Sequence, residues 1–239
     1  MLGVSMQNAP SGERPKTPQA VFDRVAPYYD ALNSMLSFGM DRRWRRETVA
    51  SLNLAPGARV LDVATGTGAL AAEIARATSG TTKVTGCDLN ERMLAVARAR
   101  TARARRAVRL VRCDATSLPF ADESFDAVTL AFAIDDMPDR DGCIREIRRV
   151  LRRGGRLALL ELSQPDRGIL RAGYLAYLRL FRAFGRLGYE HLEQEIRKYR
   201  GPTAIEALLH REGFLGYRRR SLSGGIARLH VAEKEGGPS

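Results

Sequence analysis

The chain is short of several things, and each shortage removes a class of function. It has three cysteines in 239 residues, Cys87, Cys113 and Cys143, with no C-x-x-C among them. That spacing excludes a disulfide framework and a zinc site, and the expectation is a reducing, cytoplasmic setting with no metal. No run approaches the ~18 apolar residues that a bilayer span requires. The first 19 residues carry Pro10, Pro15 and Pro18 but no apolar core of a signal peptide, so they read as a flexible leader. Lysine is almost missing: 35 of the 39 basic residues are arginine, a bias of the kind a GC-rich genome produces. Acidic residues number 27, leaving a net charge of +12 that permits attraction to anionic lipid or nucleic acid.

What the chain does have is Val60-Leu-Asp-Val-Ala-Thr-Gly-Thr-Gly68. Val60 to Val63 reads as a buried strand carrying Asp62, and Ala69 to Ala77 reads as a helix. A strand, a Gly-rich turn and a helix together make a nucleotide-type site at the carboxyl edge of a sheet. A dinucleotide fingerprint would need a third glycine, but Gly66-Thr67-Gly68 runs into Ala69-Leu70-Ala71. No Lys-Ser/Thr follows, so it is not a P-loop. An acidic residue four positions before the G-x-G suits a cationic ligand better than a phosphate. That pattern is similar to the one in class I methyltransferases that bind S-adenosyl-L-methionine.

The rest of the chain supports a doubly wound α/β sheet. Residues 19–36 carry Val21, Phe22, Val25, Tyr28, Tyr29 and Leu32 at helical spacing. Asp41 is the expected N-cap of a second helix reaching Leu52. These two helices precede the core and read either as a lid or as end-caps of the sheet. Lys83 to Cys87 reads as a second strand ending at Asp88, 20 residues beyond Gly68, where a carboxylate can accept both ribose hydroxyls of a nucleoside. Asn90 caps a helix from Glu91 to about Ala104, whose far end bears an arginine run that reads as a solvated face. Val108 to Arg112 is the third strand, and Asp114 at its tip can take an adenine amino group. Ala127 to Ala133 is a central apolar strand. Asp139 to Leu151 is a helix stopped by Arg153-Gly154-Gly155, and Arg156 to Leu162 is the fifth strand. Gly168 to Leu187 is an amphipathic helix whose Arg171, Arg179, Arg182 and Arg186 share one face, which fits an anionic membrane surface or a wet face over the core. Residues 190–199 and 203–211 read as shorter helices. Gly216 to Leu222 and Ile226 to Ala232 read as a terminal antiparallel pair joined at Ser223-Gly224-Gly225. His210 and His230 read as structural. The organisation expected is one domain over 20–235: a helical lid at 20–53, a cofactor-binding core at 58–165, substrate-side helices at 166–213 and terminal strands at 214–235.

More specific blocks follow. Phe22-Asp-Arg-Val-Ala-Pro-Tyr-Tyr-Asp-Ala-Leu-Asn33 and Leu36-Ser-Phe-Gly-Met-Asp-Arg-Arg-Trp-Arg-Arg46 resemble the N-terminal signature of the UbiE/MenG family, the C-methyltransferases of ubiquinone and menaquinone biosynthesis. Asp88-Leu-Asn-Glu-Arg-Met-Leu94, Leu118-Pro-Phe120, Val150 to Arg156, Glu161-Leu-Ser-Gln-Pro165 and Gly224 to His230 are similar to that family too. The resemblance implies a Rossmann-like seven-stranded, mostly parallel sheet, S-adenosyl-L-methionine as cofactor and a small lipophilic aromatic substrate, with no nucleic acid. It implies cofactor contacts at Thr67, Asp88, Asp114 and Ala115; the strand tips and loop add Asp62, Gly66, Gly68, Leu89 and Ala131. The chain departs from the pattern after strand four, where the family has a Ser followed by Phe-Gly-Leu-Arg-Asn. Here the residues are Ala131-Phe-Ala-Ile-Asp-Asp136. The family's Tyr-x-Tyr-Leu-x-x-Ser is here Tyr189-Glu-His-Leu-Glu-Gln-Glu195.

C-methylation of a quinol profits from a general base that removes the phenol proton, and the candidates are Asp135, Asp136 and His191. Adjacent carboxylates raise one another's pKa. A polar turn that caps the next helix accounts for Asp135 and Asp136 equally well. Three other readings stay open. They are a methyltransferase for a polyketide or amine, an RNA methyltransferase, and a cofactor-binding homologue without turnover.

Overall fold

The alternation of apolar strands with amphipathic helices produces a layered sheet. In the computed structural model, which describes residues 26–104, 107–165, 168–184 and 202–236, seven strands pair in the order β3-β2-β1-β4-β5-β7-β6. The strands are β1 (Arg59–Val63), β2 (Lys83–Asp88), β3 (Val108–Arg112), β4 (Phe125–Ala131), β5 (Leu151–Leu162), β6 (Phe214–Leu222) and β7 (Ala227–Lys234). The first five are parallel, and β7 runs antiparallel to both β5 and β6. The strand order reverses between β1 and β4, so the crevice of the switch point opens above their carboxyl ends.

Seven α-helices cover the sheet among the described residues: α1 (Tyr29–Leu36), α2 (Asp41–Ser51), α3 (Ala69–Ala77), α4 (Glu91–Arg103), α5 (Arg140–Val150), α6 (Gly168–Phe184) and α7 (Pro202–Arg211). Alternate residues along each strand face opposite layers. Val60, Ala127, Ala158 and Leu160 pack with Trp44 of α2, Ile74 of α3 and Tyr174 of α6. Leu61, Val128, Leu157 and Leu159 pack with Ile144 and Ile147 of α5 and Leu208 and Leu209 of α7. Trp44 is buried, and its indole N–H donates to Ser223 Oγ at 2.9 Å, fastening α2 to the β6–β7 turn.

Several sequence expectations need correction. Asp41 is the first residue of α2 and not its N-cap, because Met40 takes that place with helical backbone. The Asp41 carboxylate turns inward instead, to Arg45 Nη1 and the Ser37 hydroxyl. The central strand ends at Ala131, two residues early. Phe132 then adopts a left-handed φ of 56° and Ile134–Asp136 form a 3-10 turn. Arg153-Gly154-Gly155 does not stop α5, which ends at Val150 under β5's first residue. These residues form an irregularity inside β5: Phe125 pairs with Leu151 and Ala127 with Arg156, and Gly154 absorbs the extra length at φ 69°. The leader at 1–19, the start of the first expected helix and the helix expected at 190–199 lie outside the described residues.

Within the loop after β1, Gly68 is the closely packed position. It has φ 73°, and a Cβ there would lie 2.9 Å from the Ala97 Cβ of α4. Gly68→Ala is expected to lower stability by about 1–3 kcal/mol, read as a denaturation midpoint, through left-handed strain and steric contact. Adding Ala97→Gly should recover only the contact part. A Gly68→Ala protein as stable as the wild type would contradict this.

Candidate functional site

The site grows from one buried carboxylate. Asp62, near the end of β1, is only 1% exposed. The Thr129 hydroxyl of β4 donates to its Oδ1 at 2.6 Å, and the Thr65 hydroxyl donates to its Oδ2 at 2.6 Å. The backbone N–H of Ala71, in the first turn of α3, donates to it as well. Burial pushes its pKa up to about 6 against these donors, which favour the charged form. With both oxygens engaged, Asp62 holds the turn between β1 and α3 in shape.

That turn is backbone-exposing. Ala64, Gly66 and Gly68 all have positive φ, and nothing lies within 4 Å of where a Gly66 Cβ would sit. The Gly66 N–H donates to Asp88 Oδ2 at 2.7 Å, and the Asn90 N–H donates to Asp88 Oδ1 at 2.8 Å. Asp88 therefore ties the tip of β2 to the loop. Its burial raises its pKa, opposed by those same N–H donors. Asn90 also caps α4, accepting from Met93 N as expected. Leu89 is exposed beside Asp88.

Asp114 stands just past the tip of β3, exposed, with Oδ1 accepting from the Thr116 N–H at 2.8 Å and its hydroxyl at 2.7 Å. Those donors hold its carboxyl below the usual range. Ala115 beside it is half-buried, and so is Ala131 at the end of β4. The structure thus lines up Gly66, Asp88, Leu89, Asp114 and Ala115 along the β1, β2 and β3 edge.

Thr67 has a further partner that the sequence did not announce. Its hydroxyl donates to Asp30 Oδ1 of α1 at 2.7 Å, and its carbonyl accepts from Arg100 Nε of α4 at 2.8 Å. Arg100 also pairs with Asp30. One member of the arginine run expected to be a solvated face is therefore part of a clamp over the glycine loop; Arg105 and Arg106 lie outside the described residues.

At the β4 and β5 edge, three carboxylates converge. A cavity of about 20 Å3 is lined by Phe132, Asp135, Asp136, Glu161 and Leu162. Asp135 Oδ1 pairs with Arg140 Nη2 at 2.9 Å. The capping role open to Asp135 and Asp136 falls to Asp139, whose Oδ1 accepts the Gly142 N–H of α5 at 2.7 Å. Glu161 is 4% exposed, and its Oε1 accepts the N–H groups of Ala133 and Ile134 at 3.3 and 3.2 Å. Desolvation above all, then the charges of Asp135 and Asp136, push its pKa up to about 8. Sequence reasoning did not single Glu161 out as a site residue. Its signal was one carboxylate near the end of the otherwise apolar run Leu157 to Leu162. His191 lies outside the described residues. His230 is fully buried with Nδ1 2.8 Å from the Tyr217 hydroxyl, while His210 is exposed. Among the described residues, no group of three His, Cys, Asp or Glu could hold a metal ion.

Comparisons with known proteins bear on this arrangement. Residues 11–234 match the ubiE/COQ5 methyltransferase family. The ubiquinone/menaquinone biosynthesis C-methyltransferase UbiE of Geotalea uraniireducens is 37% identical over 226 residues, covering 90% of this chain and 95% of that protein. The demethylmenaquinone methyltransferase of Beutenbergia cavernae is 39% identical over 236 residues, covering 96% and 95%. Among solved structures, an S-adenosyl-L-methionine-dependent methyltransferase from Methanococcus maripaludis, itself assigned only provisionally, aligns with a TM-score of 0.70. It is 18% identical and covers 96% of this chain and 99% of that one. At that identity the likeness is one of fold.

The environment of Glu161 makes stability pH-dependent. Below the ordinary glutamate range the carboxyl is neutral in folded and unfolded chains alike. Between that range and about 8 the unfolded chain ionises while the folded one stays protonated, so stability falls as pH rises, and the loss is complete above about 8. Glu161→Gln should lie within about 1 kcal/mol of wild-type stability at pH ~5 and exceed it by a few kcal/mol at pH ~9. Groups common to both proteins cancel in that difference of denaturation midpoints. An equal difference at both pH values would refute the assignment.

Proposed function

This chain belongs to the ubiE/COQ5 methyltransferase family, and from that premise we propose that it transfers a methyl group from S-adenosyl-L-methionine to a ring carbon of a prenylated benzoquinol or naphthoquinol. The observation that carries this reading is the extent of the match: the family pattern spans residues 11–234 and includes both the glycine loop and the β4–β5 edge.

The residues fit the cofactor. Gly66 leaves open space beside backbone, Asp88 offers a partly desolvated carboxylate at the tip of β2, and Asp114 stands exposed beyond β3. In the proposed roles, Asp88 binds the ribose hydroxyls, Asp114 takes the adenine amino group, and Leu89 and Ala115 flank the base. Gly66, Thr67, Gly68 and Ala131 line the remainder, and Asp62 keeps the loop in place. When bound, the cofactor supplies an electrophilic methyl on a positively charged sulfur. The chain's own work is then to align an acceptor carbon with that methyl, exclude water and manage one proton. Asp135 and Asp136, just beyond the end of β4, face the acceptor side. Arg140 offsets the charge of Asp135.

A lipophilic acceptor needs an apolar approach. Tyr28, Met35, Phe38, Ile169 and Leu170 are exposed, Ile169 by 92%. The rings of Phe38 and Tyr177 lie 4.2 Å apart, and the Tyr177 hydroxyl donates to Met35 O at 2.8 Å, so α6 and the end of α1 present one surface. Arg171 is exposed on the same helix; the side chains of Arg179 and Arg182, and Arg186 altogether, lie outside the described residues. No helix among the described residues is long and apolar enough to cross a membrane. In our reading this surface touches the anionic inner face of the cytoplasmic membrane, with the enzyme otherwise in the cytoplasm.

Three measurements test these roles. By isothermal titration, Asp88→Ala should weaken S-adenosyl-L-methionine binding at least about 100-fold, the cost of roughly two charge-assisted hydrogen bonds. The wild type should methylate a reduced demethylnaphthoquinone; turnover only on amines or polyketides would overturn the acceptor. In co-sedimentation, vesicles containing anionic lipid should retain the protein more than neutral vesicles, and Ile169→Asp with Phe38→Asp should release it. Equal retention of that double variant would remove the membrane role.

A further inference from the structure

Glu161 is an unusual residue to keep at the edge of a core. It lies next to the last residue of β5, 4% exposed, and its Oε1 is held by two backbone N–H groups of the turn after β4. Its Oε2 takes no hydrogen bond among the described residues. The cavity it lines with Asp135, Asp136, Phe132 and Leu162 measures about 20 Å3. That is room for one water, which needs at least ~10–15 Å3 and two to four polar partners, and too little for an aromatic ring. Of the three carboxylates, Asp135 is already paired with Arg140 at 2.9 Å. Among the described residues Glu161 forms no ion pair, although Arg228 of β7 is its cross-strand neighbour.

We propose that Glu161 is the proton acceptor of the acceptor half-site, taking the phenol proton of the quinol through a single water held between Glu161, Asp135 and Asp136. The proposal rests on the quinol reading above and says which of the chain's carboxylates does the work.

The bookkeeping closes within the family's reaction. Glu161 as a carboxylate gains the proton when the phenol O–H bond breaks, and the electron pair left on oxygen enriches the neighbouring ring carbon. That carbon forms the new C–C bond as the C–S bond breaks, its electron pair going to sulfur. The ring C–H proton then leaves to solvent, and Glu161 returns its proton to the phenol oxygen. One proton is released per methyl transferred, which matches conversion of a sulfonium to a neutral sulfide. Glu161 must be ionised to begin. The groups that face it are Asp135 and Asp136 of the turn, Arg140 of α5 through Asp135, and Arg228 of β7. Burial above all, then the two aspartates, hold its pKa up, so the free enzyme should gain activity as pH rises through about 8.

The test uses the full chain, S-adenosyl-L-methionine and a reduced short-chain demethylnaphthoquinone. Wild-type kcat/KM should rise about tenfold per pH unit below about 8 and level off above it. Glu161→Gln should bind S-adenosyl-L-methionine within about twofold of wild type, lose about 100-fold or more in kcat, and show no such rise. Glu161→Asp keeps a carboxyl of shorter reach and should keep the rise, displaced, at lower kcat. If Glu161→Gln does not fold, the Glu161→Asp profile decides: a displaced rise supports the role and an unchanged one refutes it. Turnover by Glu161→Gln within about threefold of wild type, with the same pH profile, overturns the proposal alone. No turnover of the quinol by the wild type overturns the quinol reading and this proposal together.

Discussion

Everything at the carboxyl edge depends on how Asp62 is satisfied. A buried carboxylate without donors costs several kcal/mol. Here the donors come from three different places: Thr65 in the loop, Thr129 on the neighbouring strand β4, and the first turn of α3. The need to satisfy one charge therefore draws loop, sheet and helix into a single geometry. The loop's left-handed backbone, strained at Ala64 and free of strain at Gly66 and Gly68, is held there by Asp62 on one side and Asp88 on the other. The backbone offered to a ligand is fixed by the chain's own contacts, which limits the reorganisation that binding must supply.

The N-terminal helix is joined to the same loop. Asp30 accepts from the Thr67 hydroxyl and pairs with Arg100, while Arg100 also binds the Thr67 carbonyl. Both ends of the Thr67 peptide environment are thus set by residues far away in sequence. α1 also contributes to the exposed apolar rim, through Met35 and its neighbour Phe38. The helix that steadies the glycine loop also borders the exposed apolar surface.

Much of this was legible in the sequence, for identifiable reasons. Strands β1 to β3 and helices α3 and α4 have strong periodicity and clear boundaries: glycine after β1, Asn90 before α4. The observed ends fall within a residue of those expected. The errors fall where local signals compete with tertiary ones. Asp41 has the chemistry of a cap, but the buried pair with Arg45 claims it. Arg153-Gly154-Gly155 has the composition of a helix stop, but pairing with β4 draws it into a strand. The left-handed Phe132 ends β4 early, and no residue type there advertises it. At the site, the strand tips carrying Asp88 and Asp114 could be read from spacing because topology alone places them. The Asp30–Thr67–Arg100 clamp could not, since it joins residues 37 and 33 positions apart through side chains with no periodic pattern.

The contrast between Asp62 and Glu161 says more about function than either residue alone. Both are buried carboxylates beside the same crevice. Asp62 is surrounded by hydroxyl and N–H donors that favour its charge, and it is positioned as a structural element should be. Glu161 receives two longer backbone N–H bonds on one oxygen and faces two further carboxylates. A glutamine there would keep the shape and remove the repulsion, so stability alone favours the amide over the acid at neutral pH. The acid is what the chain carries. A destabilising group that sits at the carboxyl edge, next to a water-sized cavity, with its pKa pushed up to about 8, has the profile of a proton-handling residue rather than of a packing one.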